Sequence, residues 1–553
     1  MPTETAARAG KSGLPSRRLL IVASAVFVPL LVLGLAEAGL RWAGVGYATT
    51  LLTPCTVQGR PASCYNLFFA APFFPPGSVQ TPRLYSIPTE KPAGTYRIFV
   101  LGESAAMGDP DPAYGFSRYL EVMLRERFPA RKFEVVNTGS VAINSHVVLP
   151  IAKALAGQHP DLFIIYSGNN EVVGPYGPGT VLTSSGMSIP VVRSSIFLRS
   201  TRIGQLVAKL GTQKKSWQGM EMFLDKQVRA SSPLMAHVYS NFERNLRDTI
   251  AAGRAAGAQV IVATAATNLE DCAPFASLHR EGLKEEELQE WSSLVERGRE
   301  RETAQAYGDA LALYTAAAKI DDDYAELEFR IARCTKLLGS PNSAKEHFQR
   351  ARDLDTLRFR ADTRINDINR SVASAYPGVG LVDTEAMLAS ASSDGITGSD
   401  LIYEHVHMTP AGSYLLAQAI FRQMSEKLEP GQSVNPPSEA ECERMLALTV
   451  YDRSRISQEI LRRMQKAPFT NQINHEDQVL RFSMQAVSLR EEPNDTALQY
   501  QWAIARAPQD PMLRYRYGLF LFAYSRAAAA EQLAMAQPWD GFPVFMPDGT
   551  QIR

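Results

Sequence analysis

Apolar and polar positions follow two different periods through the middle of this chain. YRIFVL (96–101), FEVVN (133–137), DLFIIYSG (161–168) and AQVIVATAA (258–266) are short apolar runs, the pattern of strands buried on both faces. VGLVDTEAML (379–388) reads as a further strand that runs into a helix. Between these runs the spacing is helical. FSRYLEVMLRERF (116–128) sets Phe116, Leu120, Met123, Leu124 and Phe128 on one face, and SHVVLPIAKALAG (145–157) reads as a helix despite its proline. Strands that alternate with helices predict an α/β domain, with a parallel sheet covered on both sides.

Residues 283–375 interrupt that alternation with charged helical sequence and no strand signal. Within them Ala310 recurs as Ala344, Tyr314 as Phe348, Ala317 as Ala351, Ile320 as Leu354 and Asp321 as Asp355, each 34 residues on. That is the tetratricopeptide period, with small and aromatic residues where paired helices would pack. So short an array buries little by itself and is expected to lean on the main domain. EPGQSVNPPSEA (429–440) has linker composition, and residues 441–553 are helical again, with a proline-then-helix rhythm at 506–526. Residues 43–94, rich in Pro, Gly and aromatics, show no period, and PPGSVQTPRL (75–84) reads as extended loop.

The N-terminus changes the class of protein expected. Arg8, Lys11, Arg17 and Arg18 precede the uncharged run Leu19–Ala36, and Glu37, Arg41 and Trp42 follow it. About 20 such residues span a bilayer as a helix. The positive flank predicts a cytoplasmic tail at 1–18, a single-pass anchor at 19–36, and the remainder on the extracytoplasmic side. A cleaved signal peptide is the rival, because Ala36-Glu37-Ala38 is a weak cleavage site. With 57 Lys+Arg against 57 Asp+Glu the net charge is zero, which argues against nucleic acid as a partner. Of the five cysteines, Cys55 and Cys64 bracket a short loop and are either disulfide-bonded, if the compartment is oxidising, or unpaired. No cysteine pair has metal-ligand spacing.

Candidate chemistry gathers at predicted strand ends, where open parallel sheets bind ligands. Gly102-Glu103-Ser104 closes the first strand, and Ser104 is either a helix cap or a nucleophile. VVNTGS ends the second with Gly139, and GNNE (168–171) ends the third with Asn170. Both offer uncharged N–H donors of the kind that hold an oxyanion. YEHVHMTPAGSY (403–414) puts Glu404, His405 and His407 on a loop before a helix. A bend across three residues can bring the Glu404 carboxylate to the imidazole of His407. Metal binding by His-x-His lacks an evident third ligand. Asn268 and Glu270, after the fourth strand, are candidate substrate contacts, and GPYGPGT (174–180) is a candidate pocket loop.

These four stretches, GES at 102–104, Gly139, GNNE at 168–171 and Glu404-x-x-His407, resemble in order the signature blocks of the SGNH (GDSL-type) hydrolases. The resemblance covers about 95–200, 233–279 and 376–428. It implies a flavodoxin-like three-layer fold, which the helical insertion splits into 95–282 and 376–428; the juxtamembrane segment at 37–94 and the C-terminal helical region at 441–553 lie outside the resemblance. It also implies that Ser104 is the nucleophile, His407 the base and Glu404 its orienter, with Ser104, Gly139 and Asn170 as oxyanion donors and no cofactor or metal. Glu103, Glu171 and Glu404 stand where the family usually has Asp. Asp383, Asp400 or a carbonyl is therefore an alternative orienter.

The expected activity is hydrolysis of acyl esters, with O-acylated envelope glycans or lipids as plausible substrates. Acyl transfer to a sugar hydroxyl through the same acyl-enzyme is one alternative. A non-catalytic scaffold that binds a protein partner through its repeats is another.

Overall fold

The computed structural model describes residues 17–75, 77–78, 83–183, 188–211, 217–488 and 492–552. Arg8 and Lys11 of the N-terminal flank, and part of the expected loop at 75–84, lie outside them. Helix α1 (Arg17–Trp42) carries the apolar run, and its segment Ser24–Trp42 is long and apolar enough to cross a membrane. Its side chains from 24 to 36 are exposed.

The aperiodic segment after α1 holds a small antiparallel sheet of β1 (Leu52–Val57), β2 (Arg60–Tyr65) and β3 (Ser86–Pro88). Gln58 and Gly59, at φ 50° and 74°, form the two-residue turn between β1 and β2. Left-handed backbone at both positions suits the twist of a tight hairpin. Cys55 and Cys64 are disulfide-bonded across this hairpin. Sequence period missed these strands because they are short and prolines interrupt them.

The main domain follows as β4 (Thr95–Gly102), α2 (Ser104–Met107), α3 (Phe116–Arg127), β5 (Lys132–Asn137), α4 (Ser145–Ala156) and β6 (Leu162–Tyr166). After β6 come α5 (Ile189–Ser200), α6 (Arg202–Gly211), α7 (Leu234–Ala255) and β7 (Gln259–Ala263). Four helices, α8 (Glu285–Thr303), α9 (Tyr307–Ala318), α10 (Ala325–Leu337) and α11 (Pro341–Leu354), then stand between β7 and α12 (Thr363–Ser374). The sheet closes with β8 (Gly380–Val382), followed by α13 (Thr384–Ala391) and α14 (Pro410–Leu428). All five strands are parallel, in the order β5-β4-β6-β7-β8. Renumbered within the sheet this is 2-1-3-4-5, the flavodoxin-like order, whose ligand crevice lies at the carboxyl ends of the first and third strands. Here those are the ends of β4 and β6.

Side-chain alternation divides the core. Phe99, Leu101, Phe163, Ile165, Val260 and Val262 face α4, α7 and α12, while Ile98, Val100, Leu162, Ile164, Ile261 and Ala263 face α3 and α14. The central stretches of β4, β6 and β7, residues 98–101, 162–165 and 260–263, are therefore apolar at every position, which is what made them legible. Each fully buried large side chain contributes about 1.5–3 kcal/mol.

At two of the expected domain limits, helices pack against the sheet. Ile365, Ile368 and Val372 of α12 pack on the sheet, so the inserted helices that stand apart are α8–α11. The residues matched at 34 positions' spacing, Ala310, Tyr314 and Ala317 on α9 and Ala344, Phe348 and Ala351 on α11, are buried between neighbouring helices. The C-terminal region runs through α15 (Glu439–Met445), α16 (Val450–Met464), α17 (His475–Ser488), α18 (Pro493–Arg506), α19 (Pro511–Leu521) and α20 (Arg526–Met535). It is not a detached module. Ile460, Met464, Phe469 and Phe482 enter the core on one side of the sheet, and Cys442, Leu446 and Ile456 on the other.

At the end of β4 a Cβ on Gly102 would stand 1.9 Å from the Tyr166 carbonyl oxygen, on the paired strand β6. Backbone cannot yield there as a flexible side chain could. Gly102→Ala is expected to destabilise the chain by ~2–3 kcal/mol, measured by denaturant unfolding in detergent.

Candidate active site

Ser104 opens the single turn of α2, directly beyond the carboxyl end of β4. Gly108, at φ 94°, ends that turn in the left-handed region. Glu103 does not cap the turn with its side chain. Its carboxylate instead reaches the end of β6, where Oε1 accepts from the Gly168 N–H at 3.1 Å and Oε2 from the Asn169 N–H at 2.9 Å. Two strand ends are thereby locked together beside the serine. Burial, and then the charge of Glu171, raise the pKa of Glu103. Glu171 is held similarly, accepting from both the N–H and the hydroxyl of Ser145 at 2.8 Å.

His407 reaches Ser104 across 303 residues of chain, with Nε2 2.9 Å from Oγ. It sits on a closed loop whose ends pair through Ile402 and Met408. Thr409 then caps α14, its hydroxyl accepting from the Gly412 N–H. Glu404 Oε1 bonds His407 Nδ1, while Oε2 accepts from the N–H groups of His405, Val406 and His407 at 2.6, 3.1 and 3.2 Å. The glutamate's additional methylene is accommodated by folding the side chain back over its own loop. Asp383, an alternative orienter, is engaged by Arg370 and Thr264.

The titration of this pair follows from its surroundings. Burial alone would raise the Glu404 pKa, but the charges of His407 and His405, with their hydrogen bonds, hold it well below the usual carboxylate range. Burial lowers that of His407, and the Glu404 and Asp109 carboxylates reverse this to a net increase. His405 is lowered, chiefly by burial. The ligand atoms of Glu404, His405 and His407 lie within 4.8 Å of one another, close enough for a metal ion. Both oxygens of Glu404 are already engaged with the imidazole and three N–H groups, so the trio fits an orienter and base better than a ligand set.

Asn170 lines the cavity above Ser104, and its Nδ2 donates to the Ile143 carbonyl at 3.0 Å. An amide has a second hydrogen for another acceptor. The Gly139 N–H donates to Asn137 Oδ1 at 2.9 Å, so the free donor expected from sequence is engaged here. A Cβ on Gly139 would meet Met107 N at 2.5 Å and Glu103 O at 3.0 Å. The residue's missing side chain is thus what admits the serine turn beside β5. Asn268 and Glu270 are outside the cavity lining. Asn268 props the histidine loop, with its N–H on the His405 carbonyl and Nδ2 on the Ile402 carbonyl, both at 3.0 Å. Glu270 pairs with Lys336 beside a second hollow.

The cavity holds about 460 Å³, and much of its wall comes from residues that sequence reading passed over. Trp217, Met220, Phe223, Phe359, Arg462, Arg463, Lys466 and Phe469 line it together with Val173, and of the expected loop 174–180 Gly174 does so. Asp109 lies 3.2 Å from His407 Nε2, a second acceptor competing with the serine hydroxyl. Arg463 of α16 clamps that carboxylate with both terminal nitrogens, 354 residues away in sequence, and bonds Glu459 through Nε at 2.8 Å. The Arg463 cation opposes the pull of Asp109 on the imidazole proton. An imidazole that is neutral, oriented through Nδ1 and bonded to a hydroxyl through Nε2 can take the hydroxyl proton.

No family model and no curated relative matches this sequence. Several solved structures are similar. The lipase/acylhydrolase from Enterococcus faecalis is 12% identical, over 61% of this chain and 100% of its own, with a TM-score of 0.27. LAE5, an α/β hydrolase enzyme from the metagenome of Lake Arreo, is 13% identical over 59% and 93%, with a TM-score of 0.28. TesA is 17% identical with a TM-score of 0.18; the match spans 30% of this chain and only 59% of TesA's length. The fold assignment itself rests on strand order and register.

Arg463 and Asp109 make the titration of His407 testable apart from turnover. Losing the cation leaves the Asp109 and Glu404 carboxylates to hold the proton, so in Arg463→Gln the His407 pKa rises. In Asp109→Asn one of those carboxylates is gone and the pKa falls. NMR titration of labelled histidine should show His407 moving to higher pH in the first variant and to lower pH in the second.

Proposed function

We propose that this chain is a serine hydrolase of the SGNH (GDSL) type that cleaves acyl esters. The observation that carries the reading is the Ser104 Oγ to His407 Nε2 hydrogen bond of 2.9 Å, with Glu404 on the opposite ring nitrogen, at the wall of a cavity large enough for a small ester. Ser104 attacks the ester carbonyl while His407 accepts its proton. The tetrahedral oxyanion is held by the Ser104 N–H, one of the first-turn donors a helix leaves without a carbonyl partner, and by the second hydrogen of the Asn170 amide. Gly139 serves by admitting the serine turn, and its N–H joins the oxyanion donors by sharing with Asn137. His407 then protonates the leaving alcohol, and water attacks the acyl-serine, releasing the acid and restoring Ser104.

In this reading α1 anchors the chain, and the catalytic domain lies on the extracytoplasmic side. Arg17 and Arg18 before the apolar run support that orientation, and so does the Cys55–Cys64 disulfide, a bond typical of oxidising compartments. O-acylated envelope glycans and lipids are the substrates within reach there.

Two measurements test the chemistry. Wild-type protein should hydrolyse p-nitrophenyl acetate and be labelled at Ser104 by a fluorophosphonate; Ser104→Ala should do neither, and unchanged turnover in that variant refutes the assignment. Asn170→Ala should retain labelling but lower kcat by about 100- to 1000-fold, the usual cost of one oxyanion donor.

A further inference from the structure

Helices α5 and α6 form an elbow that the proposed catalysis does not use. From Ser188 to Gly211 the chain carries four cations, Arg193, Arg199, Arg202 and Lys209, and no Asp or Glu. Val192 and Ile196 pack on the core, but other large apolar side chains are turned outward: Phe197 is 67% exposed, Leu198 60% and Val207 64%. Basic, acid-free and apolar on its outer side, the elbow has the composition of a helix pair that lies in a membrane interface.

Its position supplies the second observation. Glu37, at the end of the apolar run of α1, accepts from the Arg202 and Ile203 N–H groups at 3.0 and 3.1 Å, so α1 caps α6. Gln205 of α6 is tied to the backbone N–H and carbonyl of Tyr47 at 3.0 and 2.9 Å, and Tyr47 stacks on Phe68. Trp42 and Phe68, 92% and 52% exposed, extend the apolar surface at this level. The elbow therefore sits where α1 leaves its exposed apolar stretch. Cleavage at Ala36 or Ala38 would cut through this joint, which favours an α1 retained in the mature chain.

We propose that the α5–α6 elbow is seated in the surface of the same bilayer that α1 crosses, with Phe197, Leu198 and Val207 among the lipid chains and Arg199 and Lys209 at anionic headgroups. Exposed apolar area of this kind is stabilised once it is removed from water. Cations beside it add attraction to an anionic leaflet. The proposal rests on α1 spanning a bilayer and is independent of the chemistry at Ser104.

The test uses the full chain reconstituted in vesicles of phosphatidylcholine and phosphatidylglycerol. Nitroxide labels are placed one at a time at Val28→Cys in α1, Phe197→Cys in the elbow, and Leu338→Cys on the inserted helices. The native free cysteines are all buried, so the labels go where intended. The ratio of collisions with oxygen to collisions with a water-soluble nickel chelate should be several-fold higher at 28 and 197 than at 338. A lipid-like ratio at 28 with an aqueous ratio at 197 overturns the seating and leaves the anchor intact; it would point to a protein partner for this face. An aqueous ratio at 28 overturns both. Fluorophosphonate labelling of the same samples reports the Ser104 reading separately.

Discussion

A carboxylate buried against an imidazole sets the terms for the rest of this molecule. Withdrawing the Glu404 charge from water costs several kcal/mol unless its oxygens are fully engaged. Three backbone N–H groups and His407 Nδ1 supply that engagement. The bonds require residues 404–407 to curl tightly, and the curl is maintained from outside by Asn268 and by pairing of the loop ends. The fourth strand's extension, the histidine loop and the cap of α14 therefore form one unit whose outcome is the direction of a single ring nitrogen.

The serine side is built on the same principle with different parts. Glu103 locks the ends of β4 and β6 through two N–H groups, and Gly102 lets those strands approach at the point of crossover. Both halves of the site thus use buried carboxylates as backbone clamps. Where the resembled family usually has aspartate, this chain has glutamate, and the extra reach is absorbed by folding back in Glu404 and by spanning between strands in Glu103.

The C-terminal helices give the site its distinctive boundary. Arg463 neutralises Asp109, which stands within reach of the His407 imidazole, and Phe469 packs edge-on against His405. Helix α16 is a wall of the cavity as well as part of the core, so docking of the C-terminal region and the protonation of His407 are physically linked. At the opposite end, Glu37 links the membrane-length helix to α6 through the Arg202 and Ile203 N–H groups.

The amino-acid sequence alone determined the sheet, the strand ends and the order of the four chemical stretches. Apolar runs, glycine turns and an acid three residues before a histidine are consequences of local backbone geometry, and they leave local patterns. It also marked the long apolar N-terminal helix and the interruption by charged helices. It did not reveal the Asp109–Arg463 clamp, the Phe359 and Phe469 walls, the small disulfide-bonded sheet, or the engagement of the Gly139 N–H by Asn137. Nor did it show that Asn268 supports a loop instead of facing the cavity. Those features depend on which distant segments come together: an ion pair between residues 354 apart has no periodicity, and a hydrogen bond's direction is decided by packing around it. Local propensity placed the chemistry at one edge of the sheet, and only tertiary contact decided which of its groups face one another.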